Sequence, residues 1–146
     1  MPSHDIRSCG LDIGDKRIGI AVSDALGITA QPLCVVEREG TRKDVQKVSG
    51  ALEPYTISCV VVGLPVELDG NEGRQAERVR AFAEALAEAA GLEIVYQDER
   101  FTTAQSERLL VDSGMRRNKR KKVIDKLAAT LILQAHLDAN SSGTGW

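Results

Sequence analysis

Apolar and polar positions alternate over residues 6–13, with Cys9, Leu11 and Ile13 on one side and Ser8, Gly10 and Asp12 on the other. That period predicts a strand. Gly14-Asp15-Lys16 reads as a tight turn, and residues 17–23 as a second strand in which Ile18, Ile20 and Val22 oppose Gly19, Ala21 and Ser23. The two would pair as a hairpin. A third strand is expected over 30–37, and Pro32, which has no N–H for a ladder, marks it as an edge. One side of the hairpin thus carries small or acidic residues, which leaves room for something to approach the backbone near Asp12.

The period then lengthens. Val45, Val48 and Leu52 fall at helical spacing and predict a helix over 41–55, with Thr41 and Asp44 as its cap. The unbroken apolar run over 57–62 predicts a strand covered on both faces, ended by Gly63-Leu64-Pro65. Val79, Phe82, Ala83 and Leu86 form the stripe of a helix over 71–90, stopped by Gly91. A fifth strand follows over 93–97. A helix is expected over 103–112, then a basic stretch, and a last helix over 123–139 with Ile124, Leu127, Ala128, Leu131 and Ala135 facing the core. Residues 1–5 and 140–146 read as disordered tails. Strands alternating with helices imply a parallel part of the sheet, and the opening hairpin makes the sheet mixed: an α/β domain without internal repeat, filling residues 1–146.

Composition narrows function mainly by exclusion. A net charge of −2 gives no general affinity for nucleic acid, which would need a local basic surface, and 3% aromatic residues argue against broad base-stacking platforms. The three cysteines, Cys9, Cys34 and Cys59, are odd in number and widely spaced, which suits buried thiols in a reducing compartment better than a disulfide framework or zinc site. No stretch approaches the roughly 20 apolar residues of a membrane span, and the N-terminus lacks the apolar core of a signal peptide. The expectation is a cytoplasmic protein that does not enter membranes.

Against this plain background three acids stand out. Asp12, Glu99 and Asp125 each sit where an apolar element ends or turns. A carboxylate there costs several kcal/mol of desolvation unless something compensates it. Each has a local explanation: turn N–H groups for Asp12, an ion pair with Arg100 or Lys126 for Glu99, and the helix macrodipole for Asp125. Three on separate elements point to one cluster, the ligand set of a hard cation such as Mg²⁺ or Mn²⁺. Asp98 is an alternative to Glu99, since neighbours in a strand face opposite ways. Asp98 or Asp24 could supply a fourth ligand.

Arg116, Arg117, Lys119, Arg120, Lys121 and Lys122 crowd just ahead of Asp125. Such a run is either a solvated segment or a mobile basic loop that meets phosphates, and its position beside an acid favours the second. Lys16, Arg17 and Arg100 could add to the same field. Thr102 could touch a phosphate besides capping a helix with Thr103.

Gly10-Leu11-Asp12-Ile13-Gly14, Arg17 to Asp24, Val62-Gly63-Leu64-Pro65 with Asp69-Gly70 and Gly73, Asp98-Glu99-Arg100-Phe101-Thr102-Thr103, and Ile124-Asp125 with Ala128-Ala129 together resemble the YqgF (RuvX) family over residues 8–137. These are bacterial RNase H-like proteins described as Holliday junction resolvases and as pre-16S rRNA nucleases. The resemblance implies an RNase H-like fold with a mixed five-stranded sheet, three antiparallel strands first. It also implies Mg²⁺- or Mn²⁺-dependent phosphodiester hydrolysis, with Asp12, Glu99 and Asp125 as the catalytic carboxylates. The expected partner is nucleic acid: structured RNA at the 5′ end of pre-16S rRNA, or alternatively branched DNA. A two-fold junction would favour a homodimer; the RNA reading also suits a monomer. Two other classes compete: an ATP-binding module of the actin/hexokinase type, which shares the strand-Asp-x-Gly hairpin, and a binding protein that keeps silent carboxylates.

Overall fold

The computed structural model describes residues 6–65, 73–98 and 117–142, and the side chains of these apart from 98, 117–126 and 140–142. Among the described residues eight elements follow in order: β1 (Ile6–Ile13), β2 (Arg17–Ser23), β3 (Ala30–Glu37), α1 (Thr41–Leu52), β4 (Thr56–Leu64), α2 (Arg74–Ala90), β5 (Glu93–Asp98) and α3 (Arg117–Ser142). The strands form a five-stranded sheet in the order β3-β2-β1-β4-β5. β1, β2 and β3 pair antiparallel, while β4 runs parallel to β1 and β5 parallel to β4. The fold is the expected mixed α/β one, and β3, which carries Pro32, is an edge.

Alternation along each strand assigns two faces. Cys9, Leu11, Ile18, Ile20, Val60 and Val62 point into a core closed by α1 and α2, where Val48, Val79, Phe82 and Leu86 are buried. Burying a side chain of this size stabilises by about 1.5–3 kcal/mol. On the opposite face Ala21, Ala30 and Val61 pack against Ala129, Ile132, Leu133 and Leu137 of α3. The space that the small residues of the hairpin leave is therefore filled by a helix. At Gly10 a Cβ would stand 2.7 Å from the Ala129 carbonyl oxygen and 2.7 Å from the Leu133 Cβ, so only glycine permits this approach.

Element ends differ from expectation where local chemistry decides them. α1 stops at Leu52, ahead of Pro54, although its apolar spacing runs on to Tyr55. Its start uses neither Thr41 nor a capping side chain at Gly40; instead the buried Asp44 carboxylate accepts the Glu39 and Gly40 N–H groups. α2 begins after Gly73 and ends as expected at Gly91, whose φ of 67° lets its N–H reach the Ala87 carbonyl. The largest difference is at α3. It starts at Arg117, not at 123, so the segment 117–122 is helical rather than a loop, and it runs through Ser142. Lys and Arg are good helix formers, and no Gly or Pro interrupts residues 115–142. Cys9 is buried, whereas Cys34 and Cys59 are only half-buried, and all three are free thiols. The helix expected over 103–112, residues 1–5 and residues 143–146 lie outside the described residues.

Candidate nuclease site

Asp12 is the penultimate residue of β1, half-buried, between the buried Leu11 and Ile13. Its partner on β2 is Gly19, so no side chain fills the cross-strand position next to its carboxylate. By the two-residue period it shares the face of Gly10, the face on which α3 docks.

The direction of α3 decides which of its residues come near. Gln134 accepts the Ala30 N–H at 2.9 Å and donates to the Ile28 carbonyl at 2.9 Å. Ala30 pairs with Ser23, and the Ser23 hydroxyl accepts the Ser8 N–H at 2.9 Å, so Gln134 lies toward the start of β1. Ala129 and Leu133 lie over Gly10. Higher numbers in α3 thus run toward Ser8 and lower ones toward Asp12, which makes α3 antiparallel to β1. From Ala129 back to Asp125 is four residues, about 6 Å along a helix. From Gly10 to Asp12 is two residues, about 6.6 Å along a strand. The backbone at 125 therefore comes alongside the Asp12 end of β1. In this frame Asp125 lies in the third turn of its helix, beyond the reach of the N-terminal macrodipole that would have explained it locally.

β5 ends at the same edge. Val62 of β4 pairs with Leu11 and Leu64 with Asp98, so Asp98 is level with the last residue of β1. Two strand spacings, about 10 Å, separate the backbones of β1 and β5. Glu99, Arg100, Thr102 and Arg116 lie outside the described residues, as do the side chains of Asp98, Arg117, Lys119, Arg120, Lys121, Lys122 and Asp125. Among the described residues no three His, Cys, Asp or Glu side chains gather into a metal-sized group.

Asp24 is at the wrong end. It sits beyond Ser23, opposite the start of β1, and its Oδ1 accepts the Ile28 N–H at 2.8 Å and the Thr29 N–H at 3.4 Å. Those backbone donors, Ile28 first, hold its carboxyl below the usual range. It closes the β2–β3 turn and cannot join Asp12. The expected cations of the hairpin turn separate too. Lys16 is exposed, whereas Arg17 is half-buried with its Nε 3.5 Å from Glu37.

One group that the sequence pattern did not flag stands beside the site. Arg38 donates from Nη1 to the Gly14 carbonyl at 3.1 Å and from Nε to Asp44 at 3.0 Å. Six residues separate Arg38 from Asp44 across an element boundary, a spacing with no helical or strand periodicity to reveal it.

Comparison with known proteins agrees with this architecture. A family model described as RuvX, Holliday junction resolvase, matches residues 6–139. A Lactococcus lactis protein, provisionally named a pre-16S rRNA nuclease, is 47% identical over 92% of this chain and 96% of its own length. One from Carboxydothermus hydrogenoformans with the same provisional name is 46% identical over 90% of this chain and 96% of its own. Among solved structures, Thermus thermophilus RuvC in complex with a Holliday junction substrate superposes with a TM-score of 0.61 at 18% identity, covering 96% of this chain and 98% of that one. The Fowlpox virus resolvase with junction DNA gives 0.56 at 16% identity, covering 92% and 99%. At such identities these two speak for a shared RNase H-like fold. The match across nearly the whole sequence, with relatives above 40% identity, shows that the chain belongs to the RuvX family.

Proposed function

We propose that this chain is a metal-dependent endonuclease that hydrolyses phosphodiester bonds at the 5′ end of pre-16S rRNA. Asp12, Glu99 and Asp125 are its Mg²⁺- or Mn²⁺-binding carboxylates. The observation that carries the reading is the antiparallel docking of α3 on Gly10, which brings position 125 to the Asp12 end of β1. The hard oxygen donors of three carboxylates fit such an ion, and the strand partner of Asp12 is Gly19, which has no side chain. Bound there, the metal would supply Lewis acidity and lower the pKa of the attacking water.

Strand register favours Glu99 over Asp98 as the ligand from β5. Positions 95 and 97 pair with Val61 and Gly63, and Val61 packs on the α3 side. Position 98 pairs with Leu64, which belongs to the α1/α2 core on the side opposite α3, and this register speaks against Asp98. The chain's own contribution is to hold acids from three elements at one sheet edge and to set cations against the phosphates. Those cations are Lys16, Arg100 and the segment 116–122, with Thr102 as a further contact.

The RNA substrate follows the names of relatives at 46–47% identity. The second reading, resolution of a four-way DNA junction, is favoured by the description of the family model. The ATP-module reading rests on the Asp12-Ile13-Gly14 hairpin pattern, whereas the family model that matches residues 6–139 is described as a resolvase. A parallel cleavage assay on a pre-16S 5′ leader and a synthetic junction, with Mg²⁺ or Mn²⁺, separates the substrates. Asp12→Asn removes a charge and almost no volume, so it should fold normally and lose cleavage by at least a hundredfold. Substantial cleavage by that variant would remove Asp12 from the site.

A further inference from the structure

We infer that Arg38 is a positioning residue that fixes the Asp12 end of β1 for metal binding without touching the metal ligands; the inference rests on the nuclease reading above. Its guanidinium joins three elements. Nη1 donates to the Gly14 carbonyl at 3.1 Å, Nε to the Asp44 carboxylate at 3.0 Å, and Cζ lies 5.3 Å from the centre of the Phe82 ring on α2. The Arg38 backbone N–H also binds the Lys16 carbonyl at 2.9 Å. Both partners are well anchored. Asp44 is fully buried at the start of α1, where it accepts the Glu39 N–H at 2.8 Å and the Gly40 N–H at 3.3 Å, and Phe82 is in the core.

Gly14 is two residues beyond Asp12, and its N–H already binds the Arg17 carbonyl at 2.9 Å. With Arg38 in place both backbone polar groups of that residue are held, so the strand end is pinned from the side opposite α3. A glycine there would otherwise leave the backbone freer than any other residue. Ligand pose matters because oxygens misplaced by fractions of an ångström bind metal poorly, and loss of outer-sphere partners costs about 10–100-fold in metal affinity.

The discriminating variant is Arg38→Lys. A lysine Nζ ends near the place of the arginine Cζ: it keeps the ion pair with Asp44 and falls about one bond short of the Gly14 carbonyl. Mn²⁺ binding to the full chain, read by electron paramagnetic resonance without substrate, should weaken by about tenfold, at the lower end of that range. Val48→Ala, a core change in α1 away from the turn, should lower stability and leave the Mn²⁺ dissociation constant within about twofold of the parent's, as expected when an equilibrium is perturbed only remotely. Equal affinity in Arg38→Lys and the parent, or an equal loss in Val48→Ala, would overturn the inference. If the parent chain itself takes up no Mn²⁺, the metal reading fails and this inference fails with it, a result distinct from either of those. Should Arg38→Lys not fold, Arg38→Gln combined with Asp44→Asn keeps an acceptor for the Glu39 N–H and still misses Gly14. The same weakening is expected of it, and parent-like affinity would again overturn the inference.

Discussion

Gly10 shows how one missing methyl sets the position of an entire helix. The carbonyl of Ala129 and the Cβ of Leu133 occupy the place where any other residue would put its first side-chain carbon. Gly10→Ala forces one of two rigid groups to move, and overpacking of this kind costs about 1–3 kcal/mol. Urea unfolding should show that loss; a stability within 0.5 kcal/mol of the parent, on the order of a neutral surface change, would mean that α3 is not held this close. Because α3 also carries Asp125, the same variant should lose cleavage beyond what its unfolded fraction explains. Arg38 and Asp44 act at the same scale from the opposite face. Burial pushes the Asp44 carboxyl up, but the Glu39 N–H, the Arg38 guanidinium and the Gly40 N–H together outweigh it and leave it below its ordinary value.

At the scale of elements, the strands were the most legible part and the helix ends the least. Period-two alternation located β1 and β2 because only one side of the hairpin is large and apolar, and Gly91 marked the end of α2 through its left-handed backbone. The start of α3 was hidden. A run of like charges looks solvent-loving and self-repelling, yet Arg and Lys lose little rotamer freedom in a helix, and the segment simply continues the helix toward its N-terminus. Asp12 could be singled out because an acid in a strand is unusual; Arg38 could not, since nothing in the sequence couples it to Gly14. Helical continuation also ranks the cations. At about 100° per residue, position 122 lies within about 20° of the Ala129 direction and position 125 within about 40°, whereas position 120 points about 180° away. Lys122→Ala should therefore make the salt dependence of substrate binding shallower by about 0.7–0.9 in log–log slope, the contribution of one phosphate contact. Arg120→Ala should leave the slope unchanged. The reverse order would show that the helix meets phosphates with its other side.

For the whole molecule, the two faces of the sheet are unequal, and stability and function divide between them. Among the described residues the α1/α2 face holds the larger apolar cluster, with the Arg38–Asp44 pair near the Asp12 end of β1. Since the Asp44 carboxyl is depressed on folding, its contribution is present above the unfolded value of about 3.9 and is lost as pH falls through the lower folded value. Unfolding midpoints should hold from pH 6 to about pH 5 and fall from there to pH 3. Asp44→Asn should start lower at pH 6 and follow a flatter acid limb, so the gap between variant and parent narrows; parallel curves would assign the acid sensitivity elsewhere. The α3 face depends on a helix encoded far along the chain from the strand it covers. During synthesis β1 is made early and stays bare on that side until α3 has been translated. In the proposed site the segment that seals this surface also delivers the third acid. Sealing and arming are then a single event: on that reading a nascent or shortened polypeptide without this helix has neither a finished exterior nor a working cutter.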